Sequence, residues 1–447
     1  MIAEIITIGD ELLRGEIIDS NKARIAQRLL LLDLECRHQV SVLDDPADMR
    51  DAFRRAAGRS DFVLISGGLG PTRDDMTTAV LAETFGRELE LDEESLETIR
   101  AFFSRVGREM ADVNRKQAYF PTDADVLRNP IGTAPGFSIR EGRARFFSMP
   151  GVPRELDLMM DEQVLPRIER SFSQPDGSGG SAVERRVVRA VLLRTFGMGE
   201  STLEAELMDL ARDGEVDLGF RTSFPDNFLR PVARAKTAEE ADARIAQVSE
   251  AIRARLGPIV YGEGEDTMES IVGRLLTERG LSVATAESCT GGLIAERLTD
   301  VPGSSAYFLG GVVAYSNAAK ASLLGVSEAV LEEFGAVSEP VVRAMAEGVR
   351  TRFGSDFGVA TSGISGPGGG TAEKPVGLVW LALSAGGEDG ASKTHAESFV
   401  FQVDRSRHRS LTAQVALDWI RRSVLGVELV GPSLLRRGGG GSAPGGS

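Results

Sequence analysis

A serine lies in a small-residue turn between a β-type run and a helical pattern in the last third of the chain. The segment LSVATAESCTGGLIAERL has a strand, then the turn from Glu287 to Gly292, then apolar residues at helical spacing. A hydroxyl at such a turn faces the positive end of the helix dipole and unpaired backbone N–H groups. This setting can activate a nucleophile and hold an oxyanion, although an N-cap is the commoner role of a hydroxyl like that of Ser288 or Thr290.

A tyrosine and a lysine follow the next predicted strand. The segment FLGGVVAYSNAAKASLLG places Tyr315 and Lys320 after a buried run. A serine nucleophile needs a base, and the three histidines, His38, His395 and His408, are in no recognisable nucleophile–base setting. A lysine whose pKa is lowered by burial, or a tyrosine that relays the proton, can take this role. Taken separately, Lys320 is typical of a helix surface and Tyr315 of a strand end.

Two further segments have features of an anion site. ATSGISGPGGG, from Ala360 to Gly370, ends a strand in a glycine-rich turn whose N–H groups suit a phosphate, although a flexible connection has the same composition. DRSRHRS places Arg405, Arg407 and Arg409 at the start of the last helix, where cations oppose the helix dipole. Positive charge at this end is easier to understand when an anion binds there.

Two loops near the N-terminus contain several carboxylates, and the second of them is also rich in glycine. They are IGDELLRGEIIDSN, from Ile8 to Asn21, and ISGGLGPTRDDMT, from Ile65 to Thr77. A glycine-rich turn suits a phosphate, but neighbouring carboxylates repel a phosphate unless a divalent cation bridges them. A phosphate-plus-metal site is therefore the economical inference. The alternative is a polar loop whose aspartates cap the following helix.

Short β-type runs alternate with helical patterns around these motifs, which predicts an α/β fold. Residues 1–172 are expected to form a domain with a mainly parallel sheet covered by helices. We expect a small α+β connecting domain at 183–262 and a C-terminal α/β domain at 265–427. A Gly- and Ser-rich stretch at 174–182 suits an exposed linker, and the tail at 433–447 is expected to be disordered.

Composition excludes several classes of function. The 447 residues are too many for one hydrophobic core, and 42% hydrophobic with 26% charged residues is ordinary for globular protein. A net charge of -15 without a Lys/Arg run argues against a nucleic-acid groove. Cys36 and Cys289 imply no disulfide framework, and we find no signal peptide or membrane-length apolar run. A soluble, cytoplasmic protein is expected.

The four C-terminal motifs, in the order AES-C-TGG, VAYSN-x-x-K, GISGPGG and the arginine cluster, resemble the nicotinamide mononucleotide (NMN) deamidase domain of the CinA family. The resemblance implies hydrolysis of the nicotinamide carboxamide, which releases ammonia and nicotinate mononucleotide and needs no metal or other cofactor. It makes Ser288 the nucleophile that forms an acyl-enzyme. Tyr315 and Lys320 are then the proton-handling partners, and Arg405 or Arg409 is an essential arginine.

The resemblance also implies the residues that contact the substrate of the deamidase. They are Cys289, Thr290, Gly291, Gly292, Ser362, Gly363 and Gly366, with N–H groups near Cys289 to Gly292 stabilising the oxyanion. Ser362 stands where the family usually has threonine, so a hydroxyl is kept. Cys289 is a rival nucleophile, because a thiolate at a helix N-terminus is readily activated. Direct attack by water is a further alternative.

The two N-terminal loops, with MPGVPRELDLMM from Met149 to Met160, resemble the molybdopterin-binding-type domain of CinA proteins. In that family the domain is linked to ADP-ribose pyrophosphatase activity, a cleavage to AMP and ribose 5-phosphate assisted by a divalent metal such as Mg, Mn or Co. The implied metal ligands or general bases are Asp10, Glu11, Asp19, Asp74 and Asp75. The residues implied to cradle the diphosphate are Gly67, Gly68, Gly70 and Thr72.

These resemblances imply a homodimeric enzyme of pyridine-nucleotide salvage that acts on two small nucleotides, NMN and ADP-ribose. One alternative is an active deamidase beside a non-catalytic N-terminal domain that binds a nucleotide or a pterin. Another is a competence-related interaction protein in DNA uptake, which the acidic net charge disfavours. Neither a nucleic acid nor a membrane is expected among the partners.

Overall fold

The computed structural model describes residues 1–173, 186–212, 214–386 and 392–433. The predicted linker at 174–182 and, apart from its first residue, the predicted tail at 433–447 lie outside these residues. The chain divides into two compact units. One consists of Met1–Arg189 with Arg234–Ala241, and the other of Ala190–Ala233 with Asp242–Ser447.

The first unit alternates strands and helices. Its strands up to the first gap are β1 (Ile2–Ile8), β2 (Glu35–Val42), β3 (Phe62–Ser66), β4 (Leu89–Leu91), β5 (Tyr119–Pro121), β6 (Asp125–Leu127), β7 (Gly136–Glu141) and β8 (Ala144–Met149). Its helices there are α1 (Asp10–Leu13), α2 (Ser20–Leu31), α3 (Pro46–Arg59), α4 (Thr77–Thr84), α5 (Glu93–Arg105), α6 (Pro153–Met159) and α7 (Leu165–Ser173). The main sheet has the order β2-β1-β3-β8-β7-β6.

The prediction of a mainly parallel sheet in this unit is confirmed. Strands β2, β1, β3 and β8 are parallel, and β7 and β6 extend the sheet in antiparallel fashion. Buried parallel strands read as continuous apolar runs, as β3 does with FVLIS. One apolar cluster contains Phe53 of α3 and another contains Leu29 of α2 and Met159 of α6, so helices cover the sheet.

The segment that lies between the two larger sheets along the chain, residues 187–263, is a small α+β arrangement. Its elements are β9 (Val187–Ala190), β10 (Leu193–Thr195), α8 (Glu200–Leu207), β11 (Val216–Ser223), β12 (Asp226–Ala235), α9 (Ala238–Leu256) and β13 (Val260–Glu263). Strands β11, β12, β10 and β13 lie side by side in that order. The sequence analysis missed β11, although apolar residues alternate at Val216, Leu218 and Phe220.

The C-terminal part of the second unit is a second α/β arrangement. Its strands are β14 (Val283–Glu287), β15 (Phe308–Val313), β16 (Phe357–Gly363), β17 (Leu378–Gly386) and β18 (Ser392–Val400). Its helices are α10 (Met268–Arg279), α11 (Leu293–Thr299), α12 (Asn317–Leu324), α13 (Glu328–Phe334), α14 (Glu339–Phe353) and α15 (Arg405–Leu425). The strand order is β15-β14-β16-β17-β18, with β15, β14 and β16 parallel and the other two antiparallel.

Helices cover both faces of this sheet. Helix α15 is buried along most of its length in a cluster with α10 and α11, and α14 belongs to the other large cluster. Helix α15 begins at Arg405 because Asp404 caps it, with a carboxylate that accepts a hydrogen bond from the amide of Arg407. Along the described stretches of the chain, none of the helices combines the length and the hydrophobicity needed to cross a membrane.

Candidate active site

The predicted C-terminal motifs follow strands that end at the same edge of the sheet. The chain passes from β14 to β15 on one side and later to β16 on the other side, so the strand order reverses next to β14. In open α/β sheets, ligands bind outside the carboxyl ends of the strands at such a switch point. Ser288 follows β14, Tyr315 and Lys320 follow β15, and the glycine-rich loop follows β16.

Lys320 contacts Ser288 directly. Its Nζ donates hydrogen bonds to Ser288 Oγ at 3.2 Å and to the carbonyl of Ala314 at 2.9 Å. The lysine lies in the first turns of α12, and only 1% of its surface is exposed. Burial lowers the pKa of Lys320 because the charged amine loses hydration. A hydroxyl and a carbonyl, rather than a carboxylate, are its hydrogen-bond partners, so this amine is suited to act as a base.

The two predicted arginines connect the remaining segments. Arg405 donates from Nη2 to the hydroxyl of Tyr315 at 3.0 Å and from Nη1 to the carbonyl of Gly366 at 2.9 Å. Arg409 donates to the carbonyl of Thr290 from Nε at 3.1 Å and from Nη2 at 2.7 Å. Both guanidinium groups therefore lie at the edge that carries Ser288. Each keeps further N–H groups that can bind an anion.

Glu287 is a residue of this site that the sequence analysis missed. Its buried carboxylate accepts hydrogen bonds from the amides of Gly292, Ile294 and Ala295 at 2.9, 3.1 and 2.9 Å. The carboxylate of Glu287 therefore caps the N-terminus of α11, where the helix dipole favours a negative charge. The sequence signal was an acidic residue at the first position of the turn, five positions before the first of these amides.

The position of Glu287 corrects one expectation about the oxyanion. The amides of Gly291 and Gly292 were expected to face it, but Gly291 donates to the carbonyl of Ser288 at 3.1 Å and Gly292 donates to Glu287. Within this turn, the amides of Cys289 and Thr290 are the other candidates. The physical reason is that a buried carboxylate competes for N–H groups at a helix N-terminus more strongly than a transient ligand does.

The side chains of several predicted substrate-binding residues are engaged in the protein interior. The hydroxyl groups of Thr290 and Thr361 lie 2.8 Å apart and are fully buried. Ser362 is also buried, and its hydroxyl donates to the carbonyl of Ala336 at 2.6 Å. Backbone atoms lie within 3.0 Å of the position that a Cβ on Gly363 would occupy. These residues shape the site, and contact with a substrate through their side chains stays a prediction.

Cys289 is buried next to the candidate nucleophile. Burial raises the pKa of its thiol to about 12, so the thiol is protonated at neutral pH. A protonated, desolvated thiol is a weak nucleophile. Ser288, in contrast, is half-buried and lies within hydrogen-bond distance of the lysine. The geometry favours the serine over its neighbour.

The resemblance to NMN deamidases implies ammonia release from NMN, and on that expectation Cys289→Ala should keep kcat/KM for this release within about threefold of the wild-type value, because no thiolate is lost. Steady-state assays of ammonia release measure this. Cys36→Ala is the matched control, since these are the two cysteines of the chain. A loss of about 100-fold in Cys289→Ala, with the fold intact, would move the nucleophile to the thiol.

The predicted N-terminal site also lies at a switch point. From β1 the chain goes to β2 on one side and to β3 on the other, and the loops after β1 and β3 are the two motifs. Gly67 has φ 112°, and a Cβ there would lie 2.3 Å from the carbonyl oxygen of Ile8. Gly68 has φ 69°, and a Cβ there would lie 2.1 Å from Thr77 Oγ1. These positions require glycine.

The glycine-rich turn after β3 lines a cavity of about 170 Å³. Its walls include Gly68, Gly70 and Asp75 from the turn, and Lys116 and Tyr119 from the segment that leads into β5. Lys116 Nζ donates to the carbonyls of Thr72 and Asp75, so the lysine holds the turn in place. Lys116 and Tyr119 were not identified from the sequence.

The predicted metal ligands are not gathered into one set. Asp19 accepts from Thr7 Oγ1 at 2.7 Å, and Asp75 accepts from Thr72 Oγ1 at 2.6 Å. Asp74 is exposed, and hydrogen bonding from Thr72 lowers the pKa of its carboxyl. Across the described ranges, no three His, Cys, Asp or Glu side chains are placed so as to hold a metal ion. As placed, these residues do not fit a metal centre.

Asp44, which the sequence analysis did not name, contacts one of the predicted metal ligands. Asp10 Oδ1 accepts from the amide of Asp44 at 3.1 Å, and Asp44 Oδ2 accepts from the amide of Asp10 at 3.0 Å. Burial, with the charges of Asp10, Asp74 and Glu11, raises the pKa of Asp44. The charges of Asp10, Glu11 and Asp74 therefore all act on the carboxyl group of Asp44.

The chain resembles known proteins along nearly its whole length. Family models match residues 265–424 as the CinA C-terminal domain, 4–170 as a probable molybdopterin binding domain and 191–262 as the damage-inducible protein CinA KH domain. These matches and the two sheets define a multidomain α/β protein with a molybdopterin-binding-like N-terminal domain.

Relatives identify the family. The chain is 46% identical to a protein of Symbiobacterium thermophilum named competence-damage inducible protein, over 95% of this chain and 99% of that protein. It is 43% identical to a CinA-like protein of Geobacter sulfurreducens, over 94% and 98% of the two chains. A solved structure of CinA from Thermoplasma acidophilum is 34% identical over 37% of this chain and 96% of its own, with a TM-score of 0.35. The chain belongs to the CinA family.

Proposed function

We propose that the C-terminal α/β domain hydrolyses the carboxamide of NMN to give nicotinate mononucleotide and ammonia. The observation that carries this proposal is the contact between Lys320 Nζ and Ser288 Oγ, 3.2 Å apart at the carboxyl edge of a sheet. The lysine is buried and its pKa is lowered, which provides the base that a serine nucleophile needs.

In the first half of the reaction, Ser288 Oγ attacks the carboxamide carbon while neutral Lys320 takes the hydroxyl proton. The carboxamide oxygen becomes an oxyanion, for which the amides of Cys289 and Thr290 are the expected donors. Lys320 then gives its proton to the leaving nitrogen, the C–N bond breaks and ammonia departs. The product at this stage is an ester of Ser288.

In the second half, water attacks the ester carbon and Lys320 accepts a proton from this water. The bond to Ser288 Oγ breaks, the proton returns to the serine, and nicotinate mononucleotide leaves. Tyr315 is the second proton-handling residue of the proposal, and its hydroxyl is held by Arg405.

The two arginines and the glycine-rich loop are proposed to bind the 5′-phosphate. Arg405 and Arg409 each use part of a guanidinium group on a backbone carbonyl, and the remaining N–H groups can pair with phosphate oxygens. This explains why cations lie at a helix N-terminus, where they oppose the dipole.

Comparing NMN with nicotinamide riboside, which lacks the phosphate, tests the proposal. Ammonia release from both substrates is expected, with a kcat/KM that is lower by about 100-fold for the riboside, because charge-assisted hydrogen bonds are lost. Equal values for both substrates would remove the arginines from phosphate binding. Release from neither would refute the deamidase.

A second function is proposed for the N-terminal domain, because its glycine turn lines a cavity at a switch point. We expect this turn to bind the diphosphate of ADP-ribose, with cleavage to AMP and ribose 5-phosphate. Homodimer formation and a cytoplasmic location likewise stay proposals.

Replacing Gly68 by alanine is expected to abolish AMP release from ADP-ribose, since the new Cβ would clash with Thr77 at a positive φ. AMP is measured by chromatography both with and without added Mg²⁺, Mn²⁺ or Co²⁺. Gly58→Ala, in open space within α3, is the matched control. Binding of ADP-ribose without AMP release in the wild type would instead support a non-catalytic nucleotide-binding or pterin-binding domain.

A further inference from the structure

His408 is a fully buried histidine to which the proposed reaction gives no role. Its Nδ1 lies 2.9 Å from Ser365 Oγ, and its Nε2 lies 3.1 Å from the carbonyl oxygen of Gly377. The glycine-rich loop connects β16 to β17. Ser365 lies near the start of this loop, and Gly377 lies at its end, directly before β17. The ring therefore joins both ends of this loop to α15.

The contacts determine the tautomer of the neutral ring. A carbonyl oxygen only accepts hydrogen bonds, so Nε2 must carry the proton that is donated to Gly377. In the neutral ring Nδ1 is then an acceptor, and the hydroxyl of Ser365 donates to it. Burial lowers the pKa of His408 below its ordinary 6.5, and the charge of Arg405 acts in the same direction. The ring of Phe401 packs edge-on against it at 5.8 Å.

The turn of α15 that carries this ring also carries the two arginines of the site. His408 lies three residues after Arg405 and one before Arg409. Arg405 contacts Gly366 of the same loop and the hydroxyl of Tyr315. The distance between the loop and the helix, which the His408 bridge fixes, therefore also fixes where Arg405 meets Tyr315.

We propose that His408, in its neutral form and paired with Ser365, is a positioning residue of the deamidase that holds the glycine-rich loop against Arg405 and Arg409. This proposal rests on the proposed deamidase activity. Protonation of Nδ1 would replace the acceptor by a donor facing Ser365 and add a positive charge beside Arg405. The Ser365 hydroxyl must then accept rather than donate, and the buried positive charge of the ring is repelled by Arg405, which disturbs the contact between the loop and the arginine. The site therefore needs His408 neutral at working pH.

The pH dependence of kcat/KM separates positioning from a merely structural role. Lys320 must be neutral to act as the base, so log kcat/KM of the wild type rises with a slope of about 1 at intermediate pH and about 2 below the pKa of His408. In His408→Gln the steeper part is expected to disappear, and the plateau falls about tenfold, mostly in kcat. His38→Gln, on β2 of the N-terminal domain, is the matched control.

A second readout does not depend on activity. The chain has three histidines, so the ring signals of His408 in NMR spectra are assigned by comparison with His408→Gln. Ser365→Ala removes the hydroxyl that contacts Nδ1, and the pKa of His408 is expected to shift. The proposal would be overturned by a loss of activity in His408→Gln that only follows the folded fraction of the protein, or by a pH profile of kcat/KM unchanged in that variant. It would also be overturned by an unchanged titration of His408 in Ser365→Ala. An inactive wild type would instead refute the deamidase.

Discussion

Replacing Lys320 by methionine is expected to lower kcat for ammonia release from NMN by about three orders of magnitude, with a small change in KM. The loss follows because Ser288 is left without a base and the departing nitrogen without a proton donor. Methionine has a side chain of similar volume, so the substitution leaves no large cavity at this buried position. The measurement is steady-state ammonia release across a series of NMN concentrations.

The proposed role of Lys320 as the base also predicts how kcat/KM depends on pH. Since burial lowers the pKa of Lys320 from its ordinary 10.5, kcat/KM should rise with pH and level off at a pH below that value. Lys320→Arg keeps a cation that cannot lose its proton, and it should be as inactive as the methionine variant. Lys393→Met, at an exposed position of β18, should match the wild type. An active Lys320→Arg enzyme would show that the charge, rather than a base, is needed.

The second large effect is expected from Glu287→Gln. The carboxylate accepts three amide hydrogen bonds while 1% exposed, and glutamine would place an NH₂ group against one of these amides. We expect a loss of about 3 kcal/mol in the free energy of unfolding of the C-terminal domain, because buried donors are left unsatisfied. Since Ser288 is the next residue, kcat should fall as well.

Tryptophan fluorescence during urea unfolding measures this loss. The two tryptophans of the chain, Trp380 and Trp419, both lie in the C-terminal domain, so the signal reports on that domain alone. Glu296→Gln is the matched control, because Glu296 is exposed on the same helix. An unfolding midpoint unchanged from the wild type would show that the amides of α11 find other partners.

The sequence predicted the sheet and the grouping of the motifs for a physical reason. Parallel strands have their carboxyl ends at one edge, so residues that follow successive strands meet there whatever their separation in the chain. Ser288 and Lys320 are such a pair, and their contact could be anticipated from the strand pattern. The start of α15 at Arg405 was predicted as well.

Other features depend on contacts that no local pattern records. Lys320 lies in a segment whose sequence is typical of a helix surface, yet tertiary packing buries it, with Nζ against Ser288 and the carbonyl of Ala314. His408 was set aside because the sequence shows it in no recognisable nucleophile–base setting, while its partners Ser365 and Gly377 are held against it by tertiary packing. Glu287 was read as part of a motif, yet it holds the N-terminus of α11.

Ammonia release from NMN by the purified, metal-free protein, with Ser288→Ala assayed beside the wild type, is the measurement to make first. We expect activity in the wild type and a loss of at least about three orders of magnitude in Ser288→Ala, because the acyl-enzyme cannot form. Activity that persists in the variant at the wild-type level would contradict the serine mechanism and point to Cys289 or to direct attack by water.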